Sequence, residues 1–449
     1  KLVYQQQNRP FSAARPNELK RFQNVLVSHK LTDYFRGSIL NCKKRFFLMN
    51  NEIESTEWKF LIFFCKKGLI SDAPGLDTSA QKSLPNWEKL MQLAARHKVR
   101  PVLYKGLLKW DKKDLIPKEF LAELKALNFQ ITAQNLNQTK ELIRILTLFE
   151  KESVETIPLK GVTLTNWAYG DLGSREFNDL DLLIQIKDFQ KIKALLIKQN
   201  YLPRFELPQI IENQFIKHNC EANFEYFQNG HRVYHIEPHW FIGDRMAQLN
   251  FDYNHLECLT NQKELFGLKI KALSPEGLII TVCMHHGGKD QWKNLKQVCD
   301  IAAILFTFKN QINWHFVLSK TNELKITNLI LHGIGLAVEL FEPKIPNNVF
   351  TLIQSEKIKI HVQKSVKRLH SDSVQKFSKE EIFQSLHFHF SVRKYWSTKL
   401  KIVWYHFVRM ILPNLDDVKD RELSKTQYWL LFFQKPIRLW KFHFGKKEN

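Results

Sequence analysis

The run Thr156 to Ile186, TIPLKGVTLTNWAYGDLGSREFNDLDLLIQI, decides how the rest of the chain is read. Near its end Asp179-Leu180-Asp181 opens a short apolar segment, and Lys160-Gly161 stands upstream of it. Residues i and i+2 of a strand share a face. Asp179 and Asp181 are therefore expected to project together, with Leu180, Leu182, Ile184 and Ile186 turned into a core. Two acids side by side on a rigid strand repel each other unless a cation stands between them. The pair is a candidate divalent-metal site.

Outward from this pair, Thr156 to Leu159 reads as a short strand, followed by Lys160-Gly161 and a helix from Val162 to Tyr169. A turn from Gly170 to Asn178 carries Arg175, and Asp188 is placed to cap a helix reaching Gln199. Glu221 to Gln228 and Arg232 to Pro238 read as two strands joined through Asn229-Gly230, a strong hairpin signal. Helices are expected upstream, around Phe60 to Cys65, from Trp87 to a break at Pro101, from Pro117 to Asn128 and from Asn135 to Glu150. They return after Trp240, at Gly277 to His285, Gln291 to Phe308 and Ile326 to Leu340. The expected fold class is α+β: a small mixed sheet flanked by mainly helical N- and C-terminal regions. The expected divisions are a basic extension (1–48), a helical region (49–150), a sheet-bearing catalytic domain (151–245) and a helical C-terminal domain (246–449).

The 449 residues, 44% hydrophobic and 25% charged, suit an ordinary globular protein with a substantial core. The formal charge is +22. Residues 1–48 carry +8 of it, leaving +14 for the remainder. Met49 reads as a natural beginning, which would leave residues 1–48 outside the folded unit. The basic balance favours polyanionic partners such as nucleotides, nucleic acid or an anionic surface. The basic, aromatic-rich C-terminal third is the candidate for such a surface, with packing of the helical domain as its plainer role. Six scattered cysteines show no CxxC spacing, as expected of reduced thiols. No transmembrane segment or signal peptide is visible, so the expected location is the cytoplasm.

Three elements in order bring out a family: Leu159-Lys160-Gly161, Arg175 with Asp179-Leu180-Asp181-Leu182-Leu183, and Glu237-Pro238-His239-Trp240. This pattern resembles the uncharacterised bacterial nucleotidyltransferase family of the nucleotidyltransferase (DNA polymerase β-like) superfamily. Weaker likeness extends from residue 55 to 440 and includes Leu273 to His285, Asp300, and Met410 to Leu439.

The resemblance implies transfer of a nucleoside monophosphate from an NTP to a hydroxyl acceptor, with release of pyrophosphate. Asp179, Asp181 and Glu237 would be the catalytic, metal-holding acids, with Mg²⁺ (or Mn²⁺) as the ion. Lys160, Gly161 and Arg175 would meet the phosphates, Gly161 by allowing close backbone approach. His239, His285 and Asp300 are candidate supporting groups behind the ligands or on the substrate side. Two departures stand out: Lys160-Gly161-Val162 replaces the Gly-Ser of the wider superfamily, and the third acid is a Glu followed by Pro238.

The acceptor (small molecule, sugar, peptide, protein or RNA) is not specified by any residue. The alternative reading is a non-catalytic nucleotide- or nucleic-acid-binding module that keeps the fold. His235, His239, His285 and His286 fit no zinc-finger or zinc-helix spacing, so packing and polar contacts are their expected roles. No G-x-S-x-G, Walker or G-x-G-x-x-G motif anchors a hydrolase, P-loop or dinucleotide reading.

Overall fold

The computed structural model describes residues 55–70, 83–206, 209–243, 249, 251–371, 387–393 and 395–411. The expectations for residues 1–48, for Met49 as a start and for most of Met410 to Leu439 fall outside them.

Five strands make a mixed sheet in the order β1-β2-β5-β4-β3: β1 Thr156–Pro158, β2 Leu180–Ile184, β3 Leu202–Pro203, β4 Phe224–Gln228 and β5 His231–His239. The β2–β5 pair is parallel and the other pairs are antiparallel. Asn229 and Gly230 have φ of 52° and 76°. Two consecutive left-handed residues match the right-handed strand twist, which is why Asn-Gly closes this hairpin. The sheet with its flanking helices is the α+β architecture.

The helices, labelled where they reach eight residues, begin with α1 Thr56–Leu69, α2 Trp87–Arg96, α3 Arg100–Leu108 and α4 Lys118–Lys151. They continue with α5 Phe189–Lys198, α6 Gln209–His218, α7 Pro275–Cys283, α8 Leu295–Thr307, α9 Trp314–Glu323, α10 Thr327–Phe341, α11 Glu356–His370 and α12 Trp396–Ile411. Pro101 lies in the first turn of α3, where a missing N–H costs nothing, so it opens a helix. The two helices expected between Pro117 and Glu150 are one. No Gly or Pro interrupts residues 128–135, and nothing else in that stretch stops propagation.

Three further differences have local causes. The helix expected at Val162 to Tyr169 is a single α-turn, Val162–Leu164, running into a π-turn, Thr165–Tyr169. Strand β2 ends at Ile184 and a 3₁₀ turn follows, which leaves Ile186 48% exposed instead of buried. A second hairpin, β6 Thr260–Leu265 with β7 Leu268–Leu273, lies where only helices were expected. Its turn is Phe266-Gly267, both at positive φ, and Phe at such a position gives no sequence signal.

The sheet is covered on both faces. Leu180, Leu182, Ile184 and Ile236 pack on one face with Leu142, Ile145 and Phe149 of α4 and Phe189, Ile192 and Leu196 of α5. Leu183 joins the other core, built largely from α1, α3, α7, α8 and α10. Because alternate residues change sides, Asp181 shares the second face with Leu183. The acid is thereby turned toward the helical half of the chain, at its margin.

Candidate active site

The parallel register puts Asp181 directly opposite Glu237 and Leu183 opposite His239. Paired residues on adjacent strands share a face, so two acids and a histidine are delivered to one patch by backbone geometry alone. Oxygens of Asp181 and Glu237 and a ring nitrogen of His239 lie within 4.8 Å of one another. Asp179, one residue before β2, stands at the rim with a third of its side chain exposed.

Cations surround these acids. Lys160 Nζ is 3.1 Å from Asp181 Oδ2 and 3.6 Å from Asp179 Oδ2. Burial works against its charge, but Asp181, Asp179 and Glu237 outweigh burial and hold its pKa above the ordinary lysine value. His239 Nε2 is 3.0 Å from Asp181 Oδ1, and its Nδ1 is 3.1 Å from Glu221 Oε2. Against its burial, Glu221, Asp181 and Glu237 raise the imidazole to about 9, so it donates from both nitrogens at neutral pH. Glu221, bridged to His239 across the sheet edge, also binds Lys289 Nζ at 2.6 Å. Burial opposes its ionisation, yet His239 and Lys289 pull its pKa down to about 2.

Gly161 has φ 62°, and a Cβ there would come within 3.3 Å of the Asp179 carbonyl. Only glycine holds this turn without strain. Leu159 N bonds the Asp181 carbonyl at 3.1 Å and ties the Lys160-Gly161 loop to β2.

Arg175 pairs with Asp300, while its Nη1 is buried with no hydrogen-bond partner among the described residues. It is 2% exposed, and its Nε and Nη2 close on Asp300 Oδ1 and Oδ2 at 2.7 and 2.8 Å. Asp300 also accepts from Tyr169 Oη at 2.6 Å and pairs with His286 Nε2 at 2.9 Å. Asp300 is thus the anchor of the Arg175 turn, not a group behind the metal-holding acids. Asn135 of α4 completes the anchoring: its Nδ2 donates to the carbonyls of Leu172 and Arg175 at 2.6 and 2.8 Å. His285 sits beside His239, ring centroids 6.4 Å apart.

Glu221, Lys289, Asp290, Lys296 and Tyr169 escaped the sequence reading. All five reach this region through tertiary packing, and only the run His285-His286-Gly287-Gly288 hinted at it. A Cβ on Gly288 would stand 2.1 Å from Leu249 Cδ1, so the Leu249 side chain would have to move to admit one.

With this geometry in view, comparison with known proteins is informative. A family profile described as an uncharacterised nucleotidyltransferase matches residues 83–342. The chain belongs to that family. It is a nucleotidyltransferase, and enzymes of this class generally use divalent metals and an NTP donor. No curated protein matches the chain, and no solved structure does. Among the described residues no helix is long and apolar enough to cross a membrane.

Proposed function

We propose that this nucleotidyltransferase transfers a nucleoside monophosphate from an NTP to a hydroxyl acceptor, with Mg²⁺ or Mn²⁺ held by Asp179, Asp181 and Glu237, in a unit spanning roughly residues 151–245. What supports this most is the direct pairing of Asp181 with Glu237 on parallel strands.

The residues present fit such an ion. Asp179, Asp181, Glu237 and Glu221 bring four negative charges against the three positive charges of Lys160, His239 and Lys289. The balance still asks for positive charge, and carboxylate oxygens are the donors that Mg²⁺ prefers. When bound, the metal supplies charge neutralisation on the attacking and leaving oxygens.

The chain's own groups do the rest. The acceptor oxygen attacks the α-phosphorus, the bond to the β-phosphate oxygen breaks, and pyrophosphate leaves. Glu237 takes the acceptor's proton. Gly161 lets the backbone approach the polyphosphate, and Lys160, tethered beside it, turns from the aspartates to a phosphate oxygen. Lys296 makes no ion pair among the described residues. Its Nζ donates to the Glu176 carbonyl at 2.9 Å. Burial, with Arg175 nearby, lowers its pKa to about 7, so a polyphosphate would give it the charge partner it lacks.

The test is incubation of wild type and an Asp179→Ala/Asp181→Ala variant with α-labelled NTPs, Mg²⁺ or Mn²⁺, and cell extract. Metal-dependent label transfer that the variant loses is the expected result. Transfer unchanged in the variant would sink the site assignment, and tight RNA binding without transfer would favour the non-catalytic module.

A further inference from the structure

His285, His286 and Asp290 occupy and follow a π-turn, Met284–Lys289, that continues α7. Such turns insert a residue into a helix at a local cost and are found frequently at functional sites. Here the turn gathers one donor atom from each of the three side chains to within 4.8 Å of the others. His285 Nδ1 lies 3.5 Å and His286 Nδ1 3.7 Å from the same atom, Asp290 Oδ2. A zinc-class ion binds nitrogen and oxygen at about 2.1 Å, so ligands at a tetrahedral angle stand about 3.4 Å apart. The two distances to Asp290 are therefore those of a tetrahedral edge, slightly opened.

These side chains also lack the partners that burial normally demands. His285 is 8% exposed, and neither of its ring nitrogens makes a hydrogen bond. His286 is 3% exposed, and its Nδ1 makes none. Asp300, ionised by its pair with Arg175, can only accept, so the 2.9 Å contact places a proton on His286 Nε2. In the neutral ring that leaves the Nδ1 lone pair facing Asp290. Metal-binding histidines are commonly oriented this way, by a carboxylate behind the ring. Two imidazole nitrogens and one carboxylate oxygen converging in a buried spot make the donor set of a single cation.

We propose that His285, His286 and Asp290 bind one divalent transition-metal ion of the zinc class, at a site separate from the acids of β2 and β5. Two imidazoles with one carboxylate select such ions over Mg²⁺. The site ties the end of α7 to α8: Asp290 Oδ2 accepts from Gln297 Nε2 at 2.7 Å, and Asp300 of the same helix holds His286. With three protein donors, the ion keeps a position for water or another ligand. The spacing i, i+1, i+5 fits no regular zinc pattern because successive residues of an α-helix point about 100° apart; the π-turn closes that gap.

The experiment uses tag-free full-length chain, stripped with a chelator and titrated with Co²⁺ while visible absorption is followed. One ion per chain that resists millimolar Mg²⁺ is expected, displaced by Zn²⁺. Losing a group behind a ligand weakens metal binding about 10–100-fold, so His285→Ala or Asp290→Ala should weaken it about 100-fold or more. The Asp179→Asn/Asp181→Asn variant should bind Co²⁺ as wild type does. Thermal unfolding of the metal-free variants checks that they fold. X-ray absorption of zinc-loaded wild type answers the question without variants: two imidazoles with oxygen are expected. No Co²⁺ uptake by wild type at micromolar concentration, unchanged uptake by folded His285→Ala and Asp290→Ala, or a zinc shell lacking imidazole would each overturn the proposal. Uptake is read without nucleotide, so its failure leaves the transfer reading standing, and the reverse holds as well.

Discussion

Asp181 and Arg175 are equally buried and close in sequence, yet their charges are met in opposite ways. Arg175 has a dedicated partner: Asp300 takes it bidentately, and Tyr169 and His286 occupy the remaining capacity of that carboxylate. Asp181 has none of its own. It shares Lys160 with Asp179 and His239 with Glu221 and Glu237. One region fixes a turn around a single carboxylate, while in the other several acids share the same cations. A buried charge with one dedicated partner serves position, whereas acids that share their cations can exchange them for a ligand.

The comparison breaks first if the Arg175 region is dispensable. Asp300→Ala strands the Arg175 guanidinium in a dry site and frees Tyr169 and His286 at once. Removing one partner of a buried pair costs about 3–5 kcal/mol, and urea unfolding should show a loss of that size. A change below about 1 kcal/mol would mean that Arg175 finds water or another acid. Asp181→Asn should act mainly on activity. Label transfer should fall by about 10²–10³-fold, the usual cost of one charge-stabilising group, while stability should fall less than for Asp300→Ala: Lys160 and His239, which hold the buried Asp181 carboxylate well below the ordinary range, keep Asp179, Glu221 and Glu237 as partners. A variant that unfolds with activity per folded molecule intact would show Asp181 to be structural.

This contrast also explains what the sequence made legible. The Asp181 region is written locally: Asp179 and Asp181 sit at strand spacing, Gly161 follows Lys160, and Glu237 precedes His239 by the same period of two. The hairpin that brings β5 back to β2 is signalled by Asn229-Gly230. The Arg175 region depends on side chains far apart in the chain, Arg175 with Asp300, Asn135 with the carbonyl of Leu172, Lys289 with Glu221. No local rule pairs such residues, so the hold of Asp300 on Arg175 could not be read from the sequence. The β6–β7 hairpin was hidden for a local reason, since its left-handed turn pair is Phe266-Gly267 and not one of the Asn-Gly type.

Asn135 sharpens the comparison at a smaller scale. It is 1% exposed and satisfies two carbonyls of the Arg175 turn. Asn135→Ala leaves both acceptors buried without a donor, at about 1–3 kcal/mol. If the turn serves position, thermal unfolding should register that loss and the KM for NTP should rise more than kcat falls. Equal activity with the full stability loss would separate the clamp from the site.

The most gradual effect is expected at Lys296, which belongs to neither region. Burial beside Arg175 lowers its pKa to about 7 in the folded chain, against an ordinary value of about 10.4 when unfolded. Between these values the unfolded chain binds more protons than the folded one, so the contribution of this lysine to stability improves as pH rises. Below pH 7 both states carry the charge and the full cost of burying it is felt; above about 10.4 neither does. Lys296→Met should therefore gain most over wild type in acid, and the gain should shrink through this window by about 1 kcal/mol or less per pH unit. Urea midpoints of the two proteins at pH 6, 8 and 10 provide the check. A gain independent of pH would mean that the ammonium is hydrated and not confined. Added NTP supplies phosphate charge to an ammonium that makes no ion pair among the described residues, so it should narrow the acid-side gap if Lys296 faces the polyphosphate and leave it untouched if the lysine only packs.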